Sequence, residues 1–329
     1  MTPTRGHARL ALLLLAGGLG LMPALAPAQV RYPAQPVRFI VPFPPAGGTD
    51  VVSRLLADRV TAGGGWTFVI DNRPGAGGNI GLDALAKSKP DGYTVGMGQV
   101  SNLAINPALY AKMPFDPAKD VLPVALVASQ ALVLVVRGDS PWKTLADLLA
   151  AARAKNGQMT MASSGNGTVG HIAGEMLARR AGVRITHVPY KGAAAGITDL
   201  AGGQVDFMLP TPQAALPLVK GGRLRALAVT GAARMPVLPD TPTVAEAGIA
   251  GFEAVDWKAL VVPAGTPADI VRTLNAAVER ALGQRETLAK LLEEGSAPMG
   301  GSPEKATKFI RAEQAKWGSA VREAGIRLD

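Results

Sequence analysis

Short strand-like runs alternate with stretches whose apolar residues recur at helical spacing, and this alternation restricts the fold more than any other feature. VRFIVPF (37–43) is followed by TDVVSRLLADRVT (49–61), with Val52, Leu55, Leu56 and Val60 on one helical stripe. WTFVIDN (66–72) precedes NIGLDALAKSK (79–89), and YTVGMG (93–98) comes next. A β-α-β-α-β order argues a parallel sheet with helices on its faces. The middle of the chain repeats the scheme. ALVLVVR (131–137) leads to TLADLLAAARAKNG (144–157), with Gly157 as its C-cap, and QMTMAS (158–163) leads to TVGHIAGEMLARRAG (168–182). VRITHVPY (183–190), GITDLAGGQ (196–204), VDFMLP (205–210) and LRALAVT (224–230) follow, and WKALVVP (257–263) is a late strand. The end reads as helical, with Thr266-Pro267 and Ser302-Pro303 as N-cap and first-turn proline pairs. Two α/β units in series are expected, crossing near 128–137 and 255–263. Residues 29–130 with 256–329 make one domain, and residues 131–255 make the other.

The first residues read as a leader and not as part of the fold. MTPTRGHAR carries Arg5 and Arg9, an apolar run broken by Gly and Pro23 follows, and Ala26-Pro27-Ala28 is an A-x-A pattern. Together these predict a signal peptide over 1–28, cleavage before Gln29 and a periplasmic mature chain. Removing both arginines lowers the formal charge from +9 to +7. A basic balance fits anionic ligands or surfaces. Without a Lys/Arg run or an interleaved aromatic stripe, nucleic acid is excluded as the partner. The chain has no cysteine, so no disulfide framework supports it. About 300 residues allow a core large enough to replace one.

The segment PFPPAGGTD (42–50) joins a strand to a helix through two prolines and two glycines. Gly47 and Gly48 clear side chains from the place where backbone N–H groups face outward. Thr49 suits an N-cap and Asp50 suits the positive end of a helix. Taken alone, the turn is either an ordinary tight connection or an anion site. The pattern recurs in ASSGNGTVGH (162–171), ahead of the helix that starts at Thr168, and NRPGAGGNIG (72–81) is a third glycine-rich turn. Two such turns on facing domains favour a clamp for one carboxylate or phosphate.

Catalytic constellations are thin. GAGGNI has Ile80 where a dinucleotide fingerprint needs its last glycine, and there is no P-loop. His171 and His187 lack partners at metal-ligand spacing and read as structural or pocket-lining, so no metal or cofactor is expected. Ser163-Ser164 lack the frame of a nucleophile elbow. Asp71, Asp91 and Asp206 are dispersed along the chain and make no carboxylate pair.

The segments YPAQPVRFIVPFPPAGGTDVVSRLLA, VIDNRPGAGGNIG, KPDGYTV, INPALY, SSGNGTVGH, HVPYKG, LAGGQVDFM, LRALAVT, PTVAEAG and PAGTP run through nearly the whole chain after the leader. In this order they resemble the Bug family, the extracytoplasmic solute receptors of tripartite tricarboxylate transporters. The resemblance implies a type II periplasmic-binding-protein fold, with two α/β domains closing on a ligand cleft. It implies a monomer that binds a small carboxylate without catalysis and passes it to the membrane subunits of a transporter. An orphan sensor acting on a signalling partner is the alternative. The resemblance also implies a clamp made from Phe43, Pro44, Ala46, Gly47, Gly48, Thr49 and Asp50 on one side. Ser163, Ser164, Gly165, Asn166, Gly167 and Thr168 form the other side. Gln99, Ser101 and Asn102, with His171, Tyr190 and Asp206, complete the expected ligand-binding set.

Two departures from the family pattern stand out. GQVSNLAINP replaces a Ser/Thr-rich segment, so Gly98 and Gln99 alter the pocket. Leu209-Pro210 stands where many members carry an Asp, which argues against an amino-acid ligand. Asp50 has two readings, a complement to the helix dipole or a group that enters the cleft, and the second is preferred.

Overall fold

The computed structural model describes residues 32–328, so the expected leader and its cleavage site lie outside the described residues. The unit Gln35–Asp329 contains two sheets. The first half of the larger sheet comes from β1 (Val37–Val41), β2 (Phe68–Asn72) and β3 (Thr94–Gln99), with α1 (Gly48–Gly64) and α2 (Asn79–Ala86) between them. A π-helical turn over Ser101–Ile105 runs into α3 (Asn106–Leu109), and β4 (Val121–Ala131) follows. The smaller sheet is built from β5 (Val133–Arg137), α4 (Leu145–Lys155), β6 (Thr160–Ser163), α5 (Val169–Arg180), β7 (Thr186–Pro189), α6 (Ala193–Ala201), β8 (Phe207–Met208), α7 (Pro212–Lys220) and β9 (Leu224–Val229). The chain then returns to the first sheet with β10 (Val255–Pro263), α8 (Ala268–Leu282), α9 (Arg285–Glu293), β11 (Ala297–Pro298) and α10 (Pro303–Ala324).

The strand order is β11-β4-β10-β3-β1-β2 in one sheet and β7-β6-β8-β5-β9 in the other. β1 is parallel to β2 and β3, and β6 is parallel to β7 and β8. β10 runs antiparallel between β3 and β4, and β5 runs antiparallel to β8 and β9. In each parallel group the carboxyl ends therefore lie on one edge, where strand-to-helix turns gather ligands. The two crossings, β4 to β5 and β9 to β10, are tied together by Thr230. Its hydroxyl accepts from the Leu132 N–H at 2.8 Å and donates to Ala254 O at 2.5 Å. β10 is buried along nearly its whole length, and one core cluster draws Leu134, Val136 and Ile172 together with Ile40, Trp257 and Trp317.

Local details correct several expectations. The N-cap of α1 is Gly47, not Thr49, because the Thr49 hydroxyl is bonded to Gln99 Oε1. The C-cap of α4 is Asn156 in the left-handed region (φ 47°), one residue before Gly157. α8 starts after Pro267, and the Thr266 hydroxyl donates to Pro263 O instead of capping. Ser302 does cap α10, accepting from Lys305 N. α7 is a helix that the apolar spacing of Pro212–Lys220 does not predict.

Candidate functional site

Four strand-to-helix turns meet at one cleft. β1 enters α1 through Gly47, β6 enters α5 through Thr168, β7 enters α6 through Gly192, and β8 enters α7 through Thr211. None of these four N-cap residues makes a side-chain capping bond, so the first-turn N–H groups keep donors to offer. Each helix end carries roughly half a positive charge. Four ends on one space make an anion site from backbone donors.

The cleft has two chambers that share Phe43, Pro44, Ser164, Lys191 and Gly192. The inner chamber is narrow, about 70 Å³, and the outer is wide, about 540 Å³. Gly48, Thr49, Gln99, Thr168, Gly170, Thr211 and Asp256 are among the residues around the inner one. The outer is bounded by the turn Pro74–Gly78, Tyr110, Gly165, Asn166 and Tyr190. In that turn Gly75, Gly77 and Gly78 all have positive φ, which glycine alone adopts without strain. Of the expected residues, Phe43, Pro44, Gly47, Gly48, Thr49, Gln99, Ser164, Gly165, Asn166, Thr168 and Tyr190 line the cleft.

Asp50, Ser101, Asn102, Ser163, Gly167 and His171 are buried and sit behind these. Asp50 is 2% exposed, and its carboxylate faces the loop that precedes it. Oδ2 accepts from Ala46 N at 3.0 Å and Arg54 Nε at 2.9 Å, and Oδ1 accepts from Asn72 Nδ2 at 2.9 Å. Asn72 Nδ2 also donates to Phe43 O at 2.9 Å. Burial pushes the Asp50 carboxyl up, but the bonds from Arg54, Asn72 and Ala46 outweigh it and hold the group below its usual range. The reading that places Asp50 in the cleft is therefore corrected: both its oxygens are committed to holding the 43–46 segment, and Ala46 is held with it at φ 63°.

Ser101 and Asn102 position Gln99. Gln99 Nε2 donates to Ser101 Oγ at 2.9 Å, and Gln99 N donates to Asn102 Oδ1 at 3.0 Å. Ser163 and His171 support the second loop from below. Ser163 Oγ accepts from Gly165 N at 3.1 Å and lies 2.6 Å from His187 Nε2. The His171 ring stacks on His187 at 3.9 Å, and its Nδ1 accepts from Gly167 N at 3.3 Å. Burial, with a smaller contribution from His187, drives His171 down to about 3, and burial drives His187 to about 4. Both rings are neutral at neutral pH, and for His171 the N–H accepted by Nδ1 requires it.

Asp206 is displaced altogether. It sits just before β8, at the amino end of that strand. It accepts from Thr160 N at 2.7 Å and pairs with Lys155 at 2.8 Å. Thr160 opens β6, and Ser163, at the cleft, closes it. Asp206 is therefore corrected from ligand contact to support for the far sheet edge.

Sequence reasoning missed Lys191, Gly192, Thr211 and Asp256. Thr211-Pro212 carried the same N-cap and proline signal as Ser302-Pro303. Asp256 and Lys258 are charged residues at a spacing of two in an otherwise apolar strand, a spacing that puts both on one face.

The family model described as tripartite tricarboxylate transporter family receptor matches residues 52–326. Protein BugT of Bordetella pertussis is 37% identical over 298 residues, 90% of this chain and 91% of its own. An R. palustris protein solved with adipate is 40% identical, has a TM-score of 0.87 and aligns over 90% of this chain and 99% of its own. MatC from Rhodopseudomonas palustris, solved with bound malate, is 32% identical, has a TM-score of 0.84 and aligns over 88% and 100%. The periplasmic binding protein BugD superposes with a TM-score of 0.86 at 31% identity, over 90% and 99%. The chain belongs to the receptor family of the tripartite tricarboxylate transporters, the Bug-type periplasmic solute-binding proteins.

Proposed function

We propose that this receptor captures a small organic acid between its two α/β domains, 29–130 with 256–329 and 131–255, and delivers it to the membrane subunits of a tripartite transporter. It binds without catalysis and is exported by its N-terminal leader. The observation that carries the reading is the convergence of four helix N-termini, each without a side-chain cap, on the inner chamber. That arrangement supplies backbone donors and partial positive charge, which a carboxylate satisfies. Adipate and malate in the related structures support the ligand class. Lys191, exposed and bordering both chambers, is a cation within the cleft for a second carboxylate.

Thermal-shift titration with an organic-acid panel and the matching amides tests this. An acid at 100 times its dissociation constant stabilises the fold by about 2.7 kcal/mol. Its uncharged amide gives little shift. Equal shifts from acid and amide overturn the carboxylate reading.

A further inference from the structure

Two buried polar atoms on residues of the inner chamber have no hydrogen-bond partner, Thr211 Oγ1 and Asp256 Oδ1. Asp256 is 1% exposed. Its other oxygen is fully engaged, accepting from Lys258 Nζ at 2.7 Å and Gln130 Nε2 at 3.2 Å. Thr211 is the N-cap of α7, where a threonine hydroxyl ordinarily accepts an N–H of the first turn, yet it makes no such bond. Buried polar groups are paired almost without exception, because an unpaired one forfeits its hydration. An idle acceptor and an idle hydroxyl beside one ligand space are therefore groups that a ligand atom can satisfy.

We propose that Thr211 and Asp256 form a subsite that reads a hydroxyl group, so that the ligand is a hydroxylated carboxylic acid. This deepens the receptor reading above and rests on it. The chemistry separates the candidate groups. Asp256 is neutralised by Lys258, whose side chain is fully buried beside it, so the pair offers an acceptor without net negative charge. A ligand carboxylate elsewhere in the cleft is therefore not repelled. A second carboxylate placed here brings no hydrogen and meets a like charge. An ammonium adds a buried positive charge that Lys258 has already supplied, and it leaves the Thr211 hydroxyl with no acceptor. A hydroxyl has one hydrogen for Asp256 Oδ1 and a lone pair for the Thr211 O–H, and it satisfies both.

Titration calorimetry with the whole mature protein tests the proposal on two matched sets. One is 2-hydroxyadipate, adipate and 2-aminoadipate; the other is malate, succinate and aspartate. In the set whose length fits, the hydroxy acid is expected to bind about tenfold or more tightly than the deoxy acid, since a site built for a hydroxyl strands its own groups without one. Asp256→Asn leaves Lys258 unpaired and is prone to misfold, so Thr211→Val carries the mutational arm. It keeps the shape, removes the hydroxyl, and is expected to cut the hydroxy-to-deoxy ratio to about threefold or less. A purely structural Thr211 leaves that ratio unmoved. Equal affinity for hydroxy and deoxy acids, an unchanged ratio in Thr211→Val, or tightest binding of the amino acid overturns the subsite alone. Failure of every acid overturns the carboxylate reading and the subsite with it.

Discussion

Asp50 Oδ1 accepts a hydrogen bond from Asn72 Nδ2 at 2.9 Å, and through the same Asn72 nitrogen it reaches Phe43 O. The first carboxylate of α1 is thus a brace for the loop whose glycines line the cleft, not part of the lining. Asp50→Asn removes the ion pair with Arg54 and exchanges a charged acceptor for a neutral one. The apo protein is expected to lose about 1–3 kcal/mol, the scale of a buried bond left half-made. Ligand affinity, measured by calorimetry well below the melting transition, is expected to stay within about threefold. A tenfold loss with unchanged apo stability would return Asp50 to the ligand.

The stacked His171 and His187 give the fold an acid limit. Folded values near 3 and 4 lie below the unfolded value of about 6.5, so the unfolded chain takes up protons first. The stability held by the neutral pair is present in full above about pH 6.5. It is lost as the pH falls towards 4 and then 3. The slope is up to about 1.4 kcal/mol per pH unit for each histidine, with His171, the more deeply buried, giving the larger share. Urea unfolding at half-unit steps between pH 6.5 and 4 is expected to show this decline. His171→Gln is expected to flatten it by at least half, and an unaltered slope in that variant removes the pair from the account.

What the sequence shows and what it hides follow from chemistry at particular positions. α1 and α5 are legible because Gly47-Gly48 and Gly165-Asn166-Gly167 precede strong helical stripes. α7 is hidden because Pro210, Pro212 and Pro217 crowd a short segment that reads as loop. Pro212 in fact occupies the first turn, where a missing N–H costs nothing, and only Pro217 lies inside the helix. β4 escapes as a full strand for a similar reason, Pro123. Asp206 is placed at the wrong end because a residue number near a strand does not say which edge it faces; its bonds to Thr160 decide that. Residue type alone does not reveal that Asp50 is spent on its own loop while Asp256, far along the chain, borders the chamber.

The buried pair of Lys258 and Asp256 is expected to be costly to break and cheap to replace. Lys258→Met leaves Asp256 charged and unpaired in the interior, at a cost of about 3–5 kcal/mol. Lys258→Met combined with Asp256→Val removes both charges and is expected to recover most of that loss. Urea denaturation of the two variants measures the difference. A double variant no more stable than the single one would show that the pair is not a coupled unit.

The last expectation concerns the seam where the two halves of the cleft touch. A Cβ added at Gly48 lies 2.7 Å from Thr211 Oγ1 and 2.7 Å from Gln213 Oε1, well inside contact distance. Gly48 opens α1, whereas Thr211 and Gln213 belong to the start of α7, so the clash sets one helix end against another across the inner chamber. The backbone of Gly48 is not in the left-handed region, so alanine brings no conformational strain. An alanine there also narrows the freedom of the unfolded chain, which by itself stabilises. Gly48→Ala therefore tests the contact of α1 with the Thr211 and Gln213 side chains of α7. The apo protein is expected to keep its stability within about 1 kcal/mol, because separation of the two helix ends relieves the clash. Affinity for the best acid is expected to fall by about tenfold or more, since helix ends held apart no longer share one carboxylate. Small-angle scattering with saturating ligand should show a larger radius of gyration than wild type under the same conditions. Wild-type affinity in Gly48→Ala would show that the α1–α7 contact is not needed for binding.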